Sequence, residues 1–424
     1  MKYSYSFYNI VVKETVHHVY LYNSLTGAFC QLEKNIHAII ANTFIDETNK
    51  CVPFDKLLKH GFIKPCYLDE YNKIRLNESK TKLERGCNKQ TFVIAPTLSC
   101  NLNCHYCFEI NHKNDKMMTK EIVFAIADYI IEHLENTTKH IHIIWFGGEP
   151  LLAYDTILCF NQYFKRLVAN LSINYTARII TNGLLLDEVK IKVLSDQCAV
   201  NSMQITVDGT REIYCSKKNA TAEQYDKLLQ NIKVALNYCR ISIRLNCDGS
   251  NYEDLKNVSQ ELVNICDCHQ NLSFYIEKLI DFQCCGESQY LTQAEFDAYK
   301  IDFEKYISKL LNKNYKKIIP KHAKCFCELS HINNLVFGPD GEIYKCEHDI
   351  GQEDKIIGHI SSGLYFNDYL MKFIQNEPAK RCQKCKIYPL CLGGCPAQRP
   401  SLGDGNTCLY KKEYIESLLQ GLID

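Results

Sequence analysis

The sequence predicts an α/β fold, a parallel sheet with helices outside, carrying a small module in front and a cysteine-rich segment behind. Three observations predict it. Residues 86 to about 312 alternate strand-like and helix-like stretches six times. Residues 1 to about 85 run through three short strands and then turn helical. Residues 313–424 lose the alternation, gain Gly and Pro, and carry eight cysteines from Cys325 to Cys408.

In the front module, residues 7–12, 17–22 and 28–32 have strand character, and Asn23-Ser24-Leu25-Thr26-Gly27 supplies the turn between the last two. Helical patterns follow over 34–44, 54–60 and 69–83. In the middle segment the expected strands are 91–98, 140–146, 173–181, 201–207, 241–246 and 272–277, with helices between them such as 120–134, 156–169 and 225–239. Six repeats place the chemistry at the C-terminal ends of the strands, where side chains from many strands converge. A last helix starts near Thr292, because Thr292 and Glu295 form a capping-box pattern. Phe296, Tyr299, Phe303, Tyr306 and Leu310 then fall on one face. The back segment is short and loop-rich, so metal stapling is expected to replace a core of its own.

The 424 residues allow two or three domains and a sizeable core. Lys and Arg balance Asp and Glu at 49 each, which gives no electrostatic argument for nucleic acid or an anionic membrane. No apolar run is long enough to span a bilayer, and the opening residues do not form a secretory signal. A cytoplasmic protein is therefore expected. In a reducing compartment, 24 cysteines point to metal binding or chemistry rather than disulfides. Thirteen of them fall outside any motif and read as small buried hydrophobes.

The stretch 96–108 holds Cys100, Cys104 and Cys107 in the spacing C-x3-C-x2-C. Iron–sulfur clusters are normally held by four cysteines. Three thiolates on a four-iron cluster leave one iron free to bind something else. Here the chain resembles the radical S-adenosylmethionine (SAM) enzymes. The resemblance implies a partial (β/α)6 barrel in which the free iron chelates SAM. Its reductive cleavage then yields a 5'-deoxyadenosyl radical that removes a hydrogen atom from the substrate. Tyr106, just before the third cysteine, is implied to lie near the adenine.

The other strand ends extend the resemblance. Phe146-Gly147-Gly148-Glu149-Pro150 matches the family's GGEP motif. Its glycines are expected to let backbone come close to the ligand, and Glu149 to accept hydrogen bonds from the amino group of SAM. Asn182, Thr206 and Asp208 sit where the ribose and carboxylate of SAM are implied; ordinary β-to-α turn roles are the alternative. Many relatives carry an Arg about ten residues past the Asp-Gly. This chain has Lys217 and Lys218, as peptide-modifying subgroups often do, and Lys218 is the expected contact. Arg244 and Asn246 alternate on the fifth strand and share a face, expected to line the substrate or SAM cavity.

Cys382-x2-Cys385-x5-Cys391-x3-Cys395, then Cys408, with Gly341-x4-Cys346 upstream, resembles the SPASM domain. Two auxiliary [4Fe–4S] clusters are implied, three with the SAM cluster. Cys382, Cys385, Cys391 and Cys408 would hold one auxiliary cluster. Cys346, Cys395 and Cys325, Cys327 or both would hold the other. Zinc on Cys382 and Cys385 is the minor alternative. Three strands followed by helices in residues 1–85 resemble the winged-helix-like element that holds the leader of a precursor peptide by strand addition; a structural cap is the alternative.

The resemblance implies a maturase of a ribosomally made (RiPP) precursor peptide, forming an intramolecular crosslink such as a cysteine thioether. An external donor of flavodoxin or ferredoxin type would supply electrons. The first alternative is an anaerobic sulfatase maturase, which oxidises Cys or Ser to formylglycine. That group places its catalytic Asp right after the glycine-motif cysteine. Here Glu347 stands there, with Asp349 two further on, and both are candidate bases. An alternative of another class is a non-catalytic iron–sulfur electron-transfer or peptide-binding protein.

Overall fold

The computed structural model describes residues 1–48, 51–83, 88–112, 114–267, 270–280, 289–312, 321–323, 327–375, 377–397, 415 and 418–420. Cys325 and Cys408 lie outside the described residues. The chain forms two compact units. The first takes Met1–Leu83, Lys316–Ser330 and Lys372–Asp424, and the second takes Glu84–Tyr315 and His331–Met371. The expected boundaries at 85 and 312 divide the chain by motif. The compact units divide it by packing, and residues beyond 312 enter both.

In the first unit, β1 (Tyr3–Tyr5), β2 (Asn9–Glu14), β3 (His18–Asn23) and β4 (Ala28–Glu33) precede α1 (Lys34–Asn42), α2 (Phe54–Lys59), β5 (Ile63–Pro65) and α3 (Glu70–Leu83). β2, β3 and β4 form an antiparallel sheet in that order, and β1 pairs with β5 in a separate two-stranded ribbon. The turn after β3 closes because Asn23 Oδ1 accepts from the backbone N–H of Leu25 at 3.1 Å and Thr26 at 2.9 Å. An Asx side chain standing in for a backbone acceptor is what that turn sequence supplies. Val19, Leu21, Ile40, Leu57 and Ile63 make the core between sheet and helices.

A second core in this unit joins Tyr8 and Ile74 to Cys382, Tyr388 and Leu392, with Tyr71 and Cys385 against it. α3 is mostly polar, yet it buries Glu70, Ile74, Glu78 and Lys82, one stripe at a spacing of four. Lys82 reaches Glu78 at 2.6 Å and the carbonyl of Ile374 at 3.2 Å, and Arg75 pairs with Glu78 at 2.8 Å. Lys386 Nζ donates to the carbonyl of Asn9 at 2.8 Å.

The second unit carries the strand–helix repeats. They run β6 (Lys89–Ile94), α4 (Lys120–Glu132), β7 (His140–Trp145), α5 (Tyr154–Val168), β8 (Asn174–Thr181), α6 (Glu188–Cys198) and β9 (Val200–Thr206). Then come α7 (Arg211–Lys218), α8 (Ala222–Ala235), β10 (Arg240–Cys247), α9 (Tyr252–Ile265), β11 (Leu272–Lys278) and α10 (Gln293–Leu310). The six strands are parallel and lie side by side in sequence order. This is the expected α/β (β/α)6 arrangement. The capping box at Thr292 and Glu295 forms as read from the sequence.

Sequential order makes each right-handed crossover turn the same way, so the helices gather on one face of the sheet. That face is apolar. Ile141, Ile143, Trp145, Ala177, Ile179, Met203, Ile205, Ile241, Ile243 and Leu245 are fully buried, and Trp145 packs edge-on against Phe160 of α5 at 5.2 Å. The alternate residues, such as Arg178, Gln204, Arg244 and Tyr275, point to the other face. β12 (Leu335–Phe337) pairs in parallel with β6, and β13 (Glu342–Tyr344), β14 (Gly358–His359) and β15 (Gly363–Leu364) continue antiparallel to make ten strands. The end of alternation near residue 313 did not foretell this, because strands of two or three residues carry no readable period.

Candidate active site

The cysteine loop follows β6 at the C-terminal edge of the sheet. Cys100, Cys104 and Cys107 are all half-buried. The loop is held from below by the GGEP turn after β7. Glu149 N–H donates to Ser99 O at 2.8 Å and Gly148 N–H to Thr97 O at 3.3 Å. A Cβ on Gly148 would stand 2.3 Å from Ser99 O and 2.6 Å from Leu98 O. At Gly147, where φ is +112°, it would stand 2.3 Å from Thr97 O. The glycines were expected to admit a ligand. What they admit is the backbone of the cysteine loop itself. Gly148→Ala is therefore expected to displace residues 97–99, cost about 1–3 kcal/mol and lower iron uptake. Iron per chain after reconstitution, read beside the thermal midpoint, checks this.

Glu149 is fully buried and accepts three protein hydrogen bonds. Oε1 takes Thr181 Oγ1–H at 2.7 Å and Leu151 N–H at 3.1 Å, and Oε2 takes Asn182 N–H at 2.8 Å. Burial pushes its carboxyl up to about 7, against the pull of those donors. Asn182 also reaches the cysteine loop. Its Nδ2 donates to Asn101 Oδ1 at 2.8 Å and stands 3.9 Å from Cys100 Sγ.

A second cluster forms where β9 and β10 end. Asp208 is fully buried. It accepts from Tyr106 OH on Oδ2 and from Asn246 N–H on Oδ1 at 3.1 Å, and pairs with Lys218 Nζ at 3.2 Å. Lys218 also lies over the Tyr106 ring, 5.3 Å from its centroid. Burial opposes the Lys218 cation, but Asp208, Tyr106 and Cys104 outweigh it and hold the ammonium above the ordinary lysine range. Lys217 turns away to Asp248, while its carbonyl accepts from His105 N–H at 3.1 Å, tying the cysteine loop to α7. Thr206 ends β9 half-buried, beside Arg244 in the register.

The structure separates the two candidate bases. Asp349 is buried and accepts from Tyr369 OH at 2.7 Å. Burial pushes it up to about 6, opposed by Tyr369 and Lys355. Glu347 is half-buried and makes no side-chain hydrogen bond among the described residues. Between them His348 packs against Phe108, next to Cys107, with ring centroids 4.6 Å apart. Burial holds its imidazole below the ordinary value, with Glu347 and Glu277 opposing and Arg244 reinforcing. Sequence reasoning missed His348, since in a single 3-10 turn no period tells which of three consecutive residues turns inward.

Cys346 belongs to the second unit, 3.7 Å from His348 Nδ1. Cys327, Cys382, Cys385, Cys391 and Cys395 belong to the first. Among the described residues no three His, Cys, Asp or Glu side chains converge as on a single metal ion. No described helix is long and apolar enough to cross a membrane.

Residues 94–262 match the Radical SAM superfamily model. The chain is 23% identical to "Radical SAM cyclopropyl synthase TigE" of Paramaledivibacter caminithermalis, over 88% of this chain and 85% of that one. It is 22% identical to a cysteine-type anaerobic sulfatase-maturating enzyme of Clostridium perfringens, over 79% and 97%. Among solved structures, anSMEcpe with bound AdoMet and Cp18Cys peptide superposes with TM-score 0.58 at 19% identity, over 78% and 95%. Streptococcus suis SuiB bound to precursor peptide SuiA superposes with TM-score 0.55 at 16% identity, over 93% and 95%.

Proposed function

This chain carries a radical SAM domain, homologous to those of sulfatase maturases and of TigE- and SuiB-like peptide-modifying enzymes, and we propose that it matures a ribosomally made peptide by forming an intramolecular crosslink such as a cysteine thioether. The observation that carries the reading is the joint presence of a cysteine loop braced by Gly147, Gly148 and Asn182 and a polar, helix-free face beside it. Likeness along most of the chain to TigE, and in fold to a protein solved with its precursor peptide, supports a peptide substrate.

Cys100, Cys104 and Cys107 would hold the SAM-binding [4Fe–4S] cluster. Bound there, cluster and SAM supply a radical that takes an unactivated hydrogen atom. The residues around them fit SAM. Glu149 Oε2 has one protein donor and can accept from the amino group of the methionine end. A bound cation would also hold the carboxylate ionised. Tyr106 offers a ring for the adenine. Asn182, Thr206, Asp208 and Lys218 offer hydrogen bonds and charge to the ribose and carboxylate.

A crosslink removes two hydrogen atoms from the peptide. One leaves as an atom, the other as a proton and an electron. Glu347 is the better placed of the two candidate bases to receive the proton, since Asp349 is committed to Tyr369. Two auxiliary clusters would take the electron. Cys346, Cys395, Cys327 and Cys325 would hold one, and Cys382, Cys385, Cys391 and Cys408 the other. An external flavodoxin or ferredoxin type donor would reduce the SAM cluster. The antiparallel sheet of the first unit ends in β4, an edge strand to which a leader can add.

The test is anaerobic incubation of reconstituted protein, SAM and dithionite with the peptide encoded beside its gene, followed by mass spectrometry. Loss of two hydrogens per modification, with deoxyadenosine formed, is expected. Deoxyadenosine with an unchanged peptide, but with oxidation of a sulfatase-derived Cys peptide to formylglycine, would favour the second reading. That reading draws support from the likeness to sulfatase-maturating enzymes.

A further inference from the structure

Four adjacent strands of the second unit carry, across their helix-free face, a run of polar side chains that contains two cations. Gln204 Oε1 on β9 accepts from Arg178 Nη2 on β8 at 2.5 Å and from Tyr275 OH on β11 at 2.8 Å. Arg244 on β10 lies opposite Tyr275 in the register and acts electrostatically on its hydroxyl, and its Nε donates to Asn246 Oδ1 at 3.0 Å. Asn246 in turn donates to Tyr106 OH at 3.3 Å, which connects the run to the Asp208 cluster.

The run is unbalanced in charge. Gln204, Tyr275 and Asn246 are neutral, and among the described residues neither Arg178 nor Arg244 has a carboxylate within ion-pair distance. Glu277 shares their face and acts on Tyr275 and His348, yet it pairs with neither arginine. Half-buried arginines ordinarily meet an anion. A guanidinium is a planar fork that fits a carboxylate in two parallel hydrogen bonds. Two such forks, on strands either side of β9 and each held by a neutral amide, are pre-organised for one anionic group lying over Gln204.

We propose that Arg178 and Arg244 clamp a carboxylate of the substrate peptide, fixing the reacting residue against the SAM site. This rests on the reading of the helix-free face as the place where peptide meets SAM. Three carboxylates have the right chemistry: an Asp or Glu side chain, a peptide C-terminus, and that of SAM itself. The first is the one proposed, because the Asp208–Lys218 cluster lies nearer the cysteine loop and already offers a cation to SAM.

The experiment uses reconstituted, SAM-bound protein and calorimetric titration with three probes: N-acetyl-glutamate methylamide, its glutamine counterpart and N-acetyl-alanine. The acidic side-chain probe is expected to bind at least tenfold more tightly than the amide, and to weaken with salt. Arg178→Gln with Arg244→Gln should abolish that preference while SAM affinity and the thermal midpoint hold. The paired Arg→Lys variant should retain part of it, since charge survives and the fork does not. Equal binding of acid and amide, or no binding of either, overturns the proposal. Preference for N-acetyl-alanine would overturn the side-chain assignment in favour of a C-terminus. Loss of SAM binding in the Gln variant would also overturn it, by assigning the pair to the cofactor. SAM binding read separately keeps failure of the clamp distinct from failure of the proposed function.

Discussion

Asp208→Asn should destabilise the folded chain by about 3–5 kcal/mol, the largest effect expected of any near-isosteric change in this protein. The carboxylate is fully buried and pairs with Lys218 at 3.2 Å, whose side chain is itself 5% exposed. Asparagine keeps the shape and one acceptor but leaves the ammonium buried beside a neutral group, with the Tyr106 ring as a weak substitute. Lys218→Met should cost less, because Asp208 keeps the Tyr106 hydroxyl and the Asn246 N–H as donors. The double variant should fall short of the sum of the two by about 0.5–3 kcal/mol, the signature of a coupled pair. Urea unfolding of all four proteins measures this. A cost for Asp208→Asn within about 0.5 kcal/mol of zero would mean the pair is not buried as described. SAM affinity should fall in the same order, since Tyr106 and Lys218 lose their common anchor.

Glu149→Ala should also be severe. It strips the acceptor from Thr181 Oγ1, Leu151 N–H and Asn182 N–H at once. Each buried donor left unmade costs about 1–3 kcal/mol, so a total of about 3 kcal/mol or more is expected. It also frees the end of β8 from the GGEP turn, and with it the Asn182 bridge to the cysteine loop. Iron content and thermal midpoint should drop together. The same residue predicts a pH effect. Its pKa stands near 7 in the fold against an ordinary 4.5, so the fold holds its proton where the unfolded chain has lost it. Stability from this source is full below about pH 4.5 and declines as pH rises through 7. Glu149→Gln removes that decline. Unfolding of both proteins at pH 5 and pH 7.5 should show the wild type losing more than the variant across the interval.

Much of the second unit could be read from the sequence because buried parallel strands are continuous apolar runs and their helices carry a clear period. β7, β8, β10 and β11 begin within a residue of where the pattern puts them. The capped start of α10 was legible for a local reason, since Thr292 and Glu295 satisfy each other. β1 and β5 and the strands after β11 were not, because pairs of two- or three-residue strands are selected by partners far away. At the candidate site the residue types were legible and their partners were not. Gly148 was read as letting backbone come close to a ligand, and nothing local announces that the Ser99 carbonyl packs where its Cβ would be. Asn246 was placed on the correct face, but nothing local announces that its N–H serves Asp208, thirty-eight positions earlier. His348 went unremarked beside two carboxylates, although it packs on the cysteine loop through Phe108.

The charged stripe buried along α3 bears on inheritance. Glu78 and Lys82 are 1% and 2% exposed, held together with Arg75, the Ile374 carbonyl and the Tyr388 hydroxyl, and Tyr8 and Ile74 share a core with Cys382. The seam of residues 1–83 runs through groups supplied from more than 290 positions downstream. A foreign front end would bury a lysine and a glutamate against the wrong neighbours. Recombination that preserves folding must therefore carry both ends of the chain together, so that the front module and the cysteine segment descend as one heritable block.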